Sequence, residues 1–232
     1  MFTLHQLDSM ARSSLDQRGV TNCPTHNLED VKNFPVLRQR NVWCIQRHWA
    51  TAPHYDLRLS LRDGLHSWAI PKGLVGLSPG EVRLAIQTAI HPPSYLTFEG
   101  GDQTRAGRGT LLWDVGFYTI ADSRVDPDSP SDEADPDGAF EMEKLDLALK
   151  KISSGKKRSI LISLQGGRKL NGISFMLTYS GHDHYNSTGE RRRDWLVRLP
   201  AGVDDLDWDA EGEEGLRYGR SVKSKRRKWH YN

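Results

Sequence analysis

Val42 to Arg47 and Tyr55 to Leu61 read as strands, and along the second apolar and polar residues alternate one by one, the period-two signature of a strand with one face buried. Asp63-Gly64 follows the second run, a strong short-range hairpin signal, and leads into Leu65 to Ile70. A strand, a loop and a β-hairpin are predicted in that order. Further β-prone runs are Arg83 to Thr88, Thr110 to Trp113, Phe117 to Ile120, Arg158 to Gln165, Ile173 to Tyr179 and Trp195 to Leu199, most of them bounded by Gly or Pro. One segment breaks the period: Met142, Leu145, Leu149 and Ile152 keep a spacing of three or four, and Gly155 just past the end is a stop signal, so a helix is expected there. The architecture read from the pattern is mainly β.

Length fits a single core, because a 232-residue all-β chain is commonly one unit. Residues 1–40 show little periodicity and are read as an arm lying on the domain; residues 41–200 form the domain; residues 201–232 form a tail. Within the domain, DSRVDPDSPSDEADPDG at 122–138 has little apolar content and reads as a disordered insertion. Charge is segregated behind a net +2: nine acidic residues and one arginine lie between Ala121 and Glu143, and seven acidic residues and no basic one between Ala201 and Gly215. From Leu216 to Asn232 there are seven Lys or Arg and no acid, including KSKRRK at 223–228. That run suits a nuclear address or a weak phosphate-binding tail, with a plain solvated tail as the alternative. No apolar run approaches the roughly 20 residues of a membrane span, and the N-terminus lacks a secretory apolar stretch. Cys23 and Cys44 are isolated, without C-x-x-C spacing. An intracellular, reducing compartment is expected, nuclear if the basic run is an address and cytoplasmic otherwise.

Candidate chemistry concentrates in RHWATAPHYDLRL, 47–59. In a strand, Tyr55, Leu57, Leu59 and Leu61 share the apolar face, which puts His54, Asp56 and Arg58 together on the other. His48 ends the preceding run on the side of Gln46, and the connection is long enough to return it beside His54. Two imidazoles and a carboxylate with open positions suit a divalent metal such as Mn²⁺ or Zn²⁺, and Arg58 would offer a planar fork to a phosphate. H-x5-H is not a specific metal signature, so spacing alone leaves open two separate histidines beside an Asp56–Arg58 ion pair. Lys72 lies in the Pro-Lys-Gly turn of SWAIPKG, Arg83 opens the next alternating run, and His91 and Tyr95 sit in the rigid loop HPPSY. HDH at 182–184 reads as a solvated turn in a Gly- and Asn-rich loop, and the Asn186 sequon as unmodified. Trp43, Trp68, Trp113 and Trp195 read as core or barrel-wall residues, and Trp49 as a surface on which a base can stack.

QRHWATAPHYDLRL, SWAIPKG, RLAIQTAIHPPSYLTFEG and GTLLWDVGFY, in this order and spacing, resemble the 3'-phosphoesterase domain found at the N-terminus of bacterial ATP-dependent DNA ligase D and as free-standing archaeal and eukaryotic proteins. The likeness is close over 41–120 and looser over 156–199. It implies a compact closed β-barrel with one or two short helices, and a polar crescent that binds Mn²⁺, or Zn²⁺ or another divalent metal in its place. It implies metal ligands His48, His54 and Asp56; phosphate contacts from Gln46, Arg58, Lys72 and Arg83; and His91, Tyr95 and Arg58 in the hydrolytic step. The family trims a ribonucleoside from a primer 3' end and then removes the remaining 3'-phosphate. The implied partner is therefore a nucleic-acid 3' end on a primer-template, with a DNA ligase or polymerase as a further candidate and a monomer as the expected state.

Three departures weigh toward phosphate removal over ribonucleoside removal. TAIHP stands where the family has T-E-D-H-P, so Ala89 and Ile90 replace two carboxylates. GGDQTRAGRG replaces the rigid I-P-x-G-x-Y-G-x-G turn, and the family's N-terminal Lys-Arg-Asp-Phe motif is missing. The competing expectations are a catalytically silent 3'-end binding module and a repair scaffold.

Overall fold

The computed structural model describes residues 28–49, 53–73, 80–100, 109–121, 137–185, 189, 191–198 and 220–225. Eight antiparallel strands, β1 (Val42–Trp49), β2 (Pro53–Leu61), β3 (Gly64–Ile70), β4 (Val82–Gln87), β5 (Gly109–Ala121), β6 (Ser159–Gln165), β7 (Ile173–Tyr185) and β8 (Arg191–Arg198), close into a barrel in the order β1-β2-β3-β4-β8-β7-β6-β5. The closed, mainly β architecture is the one expected. Each of the eight strands pairs with two neighbours around the ring, β3 and β4 meeting at only two positions.

Alternation decides what fills it. Trp43 and Ile45 of β1, Leu57 and Leu59 of β2 and Trp68 of β3 point inward into one apolar cluster, with the Trp68 and Trp195 rings meeting edge to face at 5.9 Å. Trp43, Trp68, Trp113 and Trp195 are buried, while the side chain of Trp49, at the end of β1, lies outside the described residues. Helix α2 (Ala139–Ser153) adds Met142, Leu145, Ala148 and Ile152 to the same cluster, and its buried Glu141 accepts the Ile120 amide and the Lys144 ammonium.

The outer wall of β1 and β5 carries a second, smaller core. Helix α1 (Leu28–Asn33) and the 3-10 turn Pro35–Arg38 bring Phe34 and Leu37 against Val42, Cys44, Leu112 and Val115. Val222 completes this patch. Its amide donates to the Leu112 carbonyl (2.9 Å), and Lys223 reaches the buried Asp30 (2.8 Å) and the Thr97 carbonyl (3.0 Å). Lys223 opens the basic run read from the sequence; the run beyond residue 225 lies outside the described residues, as do 122–136 and Cys23.

Two differences from the pattern have physical causes. Thr110–Trp113 and Phe117–Ile120 are one strand, β5, running through Gly116, where a Cβ would stand 2.0 Å from the Gln165 carbonyl oxygen and 2.8 Å from Trp43. Glycine there permits close approach instead of a turn. HDH lies in β7: after a register shift, Asp183 pairs with Arg193 and His184 with Arg192, and ion pairs from Asp183 to Arg191 and from His184 Nδ1 to Asp194 (3.1 Å) hold the strand together. The Asn186 sequon falls outside the described residues.

Candidate active site

Register builds the site. Across the β1–β2 pair, His48 stands opposite His54, Gln46 opposite Asp56 and Cys44 opposite Arg58. With Ile45 and Leu57 directed into the barrel, these six residues face outward, so the polar crescent lies on the outer wall. The imidazoles of His48 and His54 stack with centroids 5.3 Å apart and planes 16° from parallel. His48 Nε2 is 3.3 Å from Asp56 Oδ2, and His54 Nε2 is 3.5 Å from Asp56 Oδ1. Among the described residues, these three form a group whose ligand atoms all lie within 4.8 Å of one another.

Arg58 fixes the carboxylate. Its Nη2 donates to Asp56 Oδ2 (2.9 Å) and stands 3.3 Å from His48 Nε2, while its own surface is only 1% exposed. Asp56 Oδ1 is left buried and without a hydrogen-bond partner among the described residues. Burial pushes His48 down to about 4, with Asp56 opposing and Arg58, His54 and His91 adding to the fall. At neutral pH this imidazole is uncharged and keeps a lone pair for a metal. An orphaned carboxylate oxygen beside two imidazole nitrogens fits a divalent cation, so this His-His-Asp group is a candidate metal centre.

The loop after β4 covers the crescent. The His91 amide and carbonyl pair with Leu65 (3.0 and 2.8 Å), and the chain then makes a 3-10 turn, Pro93–Leu96. The Tyr95 ring lies 5.4 Å from the Arg58 guanidinium carbon and 5.2 Å from the His91 ring. Burial and then Arg58 lower the His91 pKa, while Asp56 and a hydrogen bond to the Ala89 backbone raise it. His48, His54, Asp56, Arg58, His91 and Tyr95 are thus brought together.

The remaining sequence candidates are placed differently. Gln46 is fully buried, and its Nε2 donates to the carbonyls of Tyr95 (2.6 Å) and Phe98 (3.0 Å), anchoring the loop from below. Arg83 donates through Nη1 to the carbonyls of Lys72 (2.8 Å) and Gly73 (3.0 Å), while the Lys72 side chain is exposed. Arg83 stands opposite the core residue Val197 and shares the inward face of β4 with Ala85, and it pairs with Glu81 (3.2 Å), while Gly73 packs against Tyr55; these cations therefore lie on the other side of the wall from the crescent. Ala89 and Ile90 are exposed immediately before His91.

Sequence reasoning missed Thr110, whose hydroxyl stands 3.5 Å from His48 Nδ1 and is placed to set the ring's orientation. Thr110 opposes His48 in the β1–β5 register, and no local pattern announces a pairing across 62 residues. Glu99 was also missed. It accepts the Leu112 amide (2.9 Å) and the Ser221 hydroxyl, tying the loop to β5 and to the 220–225 segment.

Comparison with known proteins adds an independent finding. Residues 46–177 match the family model described as the DNA Ligase D 3'-phosphoesterase domain. The multifunctional non-homologous end joining protein LigD of Pseudomonas aeruginosa is 38% identical over 126 residues, which cover 53% of this chain and 14% of that protein. The LigD of Mycobacterium bovis is 43% identical over 97 residues, 40% of this chain and 12% of its own length, and that of Mycolicibacterium smegmatis is 41% identical over 106 residues, 44% and 14%. The chain therefore matches only a small part of each of these curated relatives. The matched residues run from Gln46 through the whole crescent and its covering loop into β7, and the chain belongs to the DNA ligase D 3'-phosphoesterase domain family.

Proposed function

We propose that this chain is a metal-dependent phosphoesterase that processes the 3' ends of DNA, or of DNA ending in a ribonucleotide, during repair, with removal of a 3'-phosphate as its main reaction. The observation that carries the reading is the convergence of His48, His54 and Asp56 on one outward face with Arg58 beside them. A 3'-phosphate repels an attacking oxygen by its own charge, so the site must supply positive charge where the transition state gathers negative charge. A divalent ion such as Mn²⁺ or Zn²⁺, held by the two imidazoles and the carboxylate, would polarise the phosphate and acidify water.

The protein's own groups do the rest. Arg58 carries a fixed charge, and its Nε and Nη1 have no hydrogen-bond partner among the described residues. The Tyr95 ring covers that guanidinium, so in this reading the ring swings aside when a phosphate docks; Gln46 holds the Tyr95 backbone, leaving the side chain as the moving part. His91 faces the same space, placed to orient or exchange a proton with the leaving oxygen. The exposed Lys72 offers charge to the adjacent part of the strand, and Arg83, paired with Glu81, holds the Lys72–Gly73 turn that presents it. Ribonucleoside removal is the weaker branch, because Ala89 and Ile90 stand before His91 where the family has two carboxylates.

The test is a labelled primer-template ending in a 3'-phosphate or in one ribonucleotide, incubated with Mn²⁺, Zn²⁺ or chelator. Expected is metal-dependent release of phosphate from the first substrate, lost in His48→Ala and His54→Ala. Asp56→Ala is expected to lose turnover too, and also stability, because it strands a buried guanidinium. Salt-sensitive binding of both ends without product under any metal would replace this reading with the silent end-binding module, which the covered Arg58 favours.

A further inference from the structure

The turn between β6 and β7 and the docked 220–225 segment line an open cavity of about 490 Å³. Among the described residues, four of the seven that line it are cationic, Arg168, Lys169, Arg220 and Lys225, and none is acidic. Two carboxylates stand close, and both are already occupied. Asp114 accepts the amides of Arg168, Lys169 and Leu170 at 2.8 to 3.0 Å, and Glu99 accepts the Leu112 amide and the Ser221 hydroxyl. Their charges offset two of the four cations, so among the described residues the cluster keeps a net positive charge.

Its geometry is fixed in advance. Arg168 donates to the carbonyls of Val222 and Asn33, and Lys169 sits 4.5 Å from the Trp113 ring centroid while donating to the Arg220 carbonyl. Lys225 is the one non-glycine residue with positive φ (61°) among the described residues, held there with its ammonium on the Val222 carbonyl (2.8 Å). Such a backbone persists only where its surroundings over-determine it. Burial lowers the Lys225 pKa, the nearby Arg168 adds to the fall, and Glu99 opposes it. An anion between Lys225 and Arg168 would relieve their repulsion.

Placement supplies the ligand class. Asp114, which carries the Arg168–Leu170 turn, lies four residues along β5 from Thr110, the residue opposite His48. At roughly 3.3 Å per residue the two points are about 13 Å apart, farther than one internucleotide step and within the span of a few nucleotides of one strand. We propose that this cavity is a second anion site, holding a backbone phosphate of the nucleic-acid strand whose 3' end lies at the crescent; the proposal rests on the reading of the crescent as a 3'-end site. It lies partly on residues 220–225, beyond the stretch that matches the family.

The experiment uses the full chain and its Arg220→Gln/Lys225→Gln variant, with equal thermal midpoints as the folding control. Fluorescence anisotropy against salt is measured for a 3'-phosphorylated duplex longer than one helical turn and for a 3'-phosphorylated dinucleotide. Expected is a slope of log K against log salt that falls by about one to two for the duplex and is unchanged for the dinucleotide. In parallel, acylation of Lys225 is followed by mass spectrometry with the duplex or with inorganic phosphate; the duplex should protect Lys225 at concentrations where inorganic phosphate does not. An unchanged slope, no protection by the duplex, or protection by inorganic phosphate alone overturns the proposal. His48→Ala separates the two readings, since loss of a working crescent abolishes turnover and leaves the slope difference in place.

Discussion

Cys44 stands opposite Arg58 on the same strand pair, yet burial pushes its thiol up to about 12 against the pull of the nearby guanidinium. At pH 8 about one thiol in ten thousand is then ionised, and thiolate is the reactive form. In a Cys23→Ser background, Cys44 is expected to resist a thiol reagent in buffer and to react fully in denaturant; rapid labelling of the native protein would contradict its burial. Gln46 allows a second test at this scale. Gln46→Leu leaves the carbonyls of Tyr95 and Phe98 without their donor, expected to cost about 1 to 3 kcal/mol in urea unfolding. The same change should slow turnover more than it weakens metal binding, because it frees the loop and spares the ligands.

At the scale of elements, the β6–β7 turn depends on one carboxylate. Asp114→Ala leaves the three amides of residues 168 to 170 unpaired and is expected to destabilise the protein by about 2 to 4 kcal/mol, read from denaturant midpoints, with Asp114→Asn milder. Burial raises the Asp114 pKa above its ordinary 3.8 even though backbone amides pull it down. The native state then holds this proton more tightly than the unfolded chain, so its contribution to stability falls as pH rises from 3.8 through the raised native value. Asp114→Asn should remove that decline, which paired unfolding curves across the acid range would detect. These elements also show what a sequence discloses. Alternation over residues 55–61 disclosed the crescent, because period two and a neighbouring strand suffice to gather His48, His54, Asp56 and Arg58. The role of Gln46 beneath Tyr95, the partnership of Thr110 with His48 and the passage of β5 through Gly116 all depend on pairings between distant segments, which leave no local trace. Short α1 was hidden for another reason: six residues are too few to display a period.

For the whole molecule, the C-terminal segment is a structural member. Truncation after residue 219 removes Val222 from the outer core and leaves Asp30 buried without Lys223. A lower thermal midpoint is expected, together with faster thiol labelling of Cys44, which shares that outer core; an unchanged midpoint would show the segment to be dispensable. The way the ring closes has a kinetic corollary. All three candidate ligands come from a single hairpin and lie within nine consecutive residues, whereas sealing β1 against β5 joins segments roughly 60 to 75 positions apart. Short loops close orders of magnitude faster than the slow step of a β fold with many distant pairings. A cation arriving early in refolding would therefore meet its ligands on a nascent hairpin, before the barrel around them exists, and act as a nucleus for assembly as well as an instrument of chemistry.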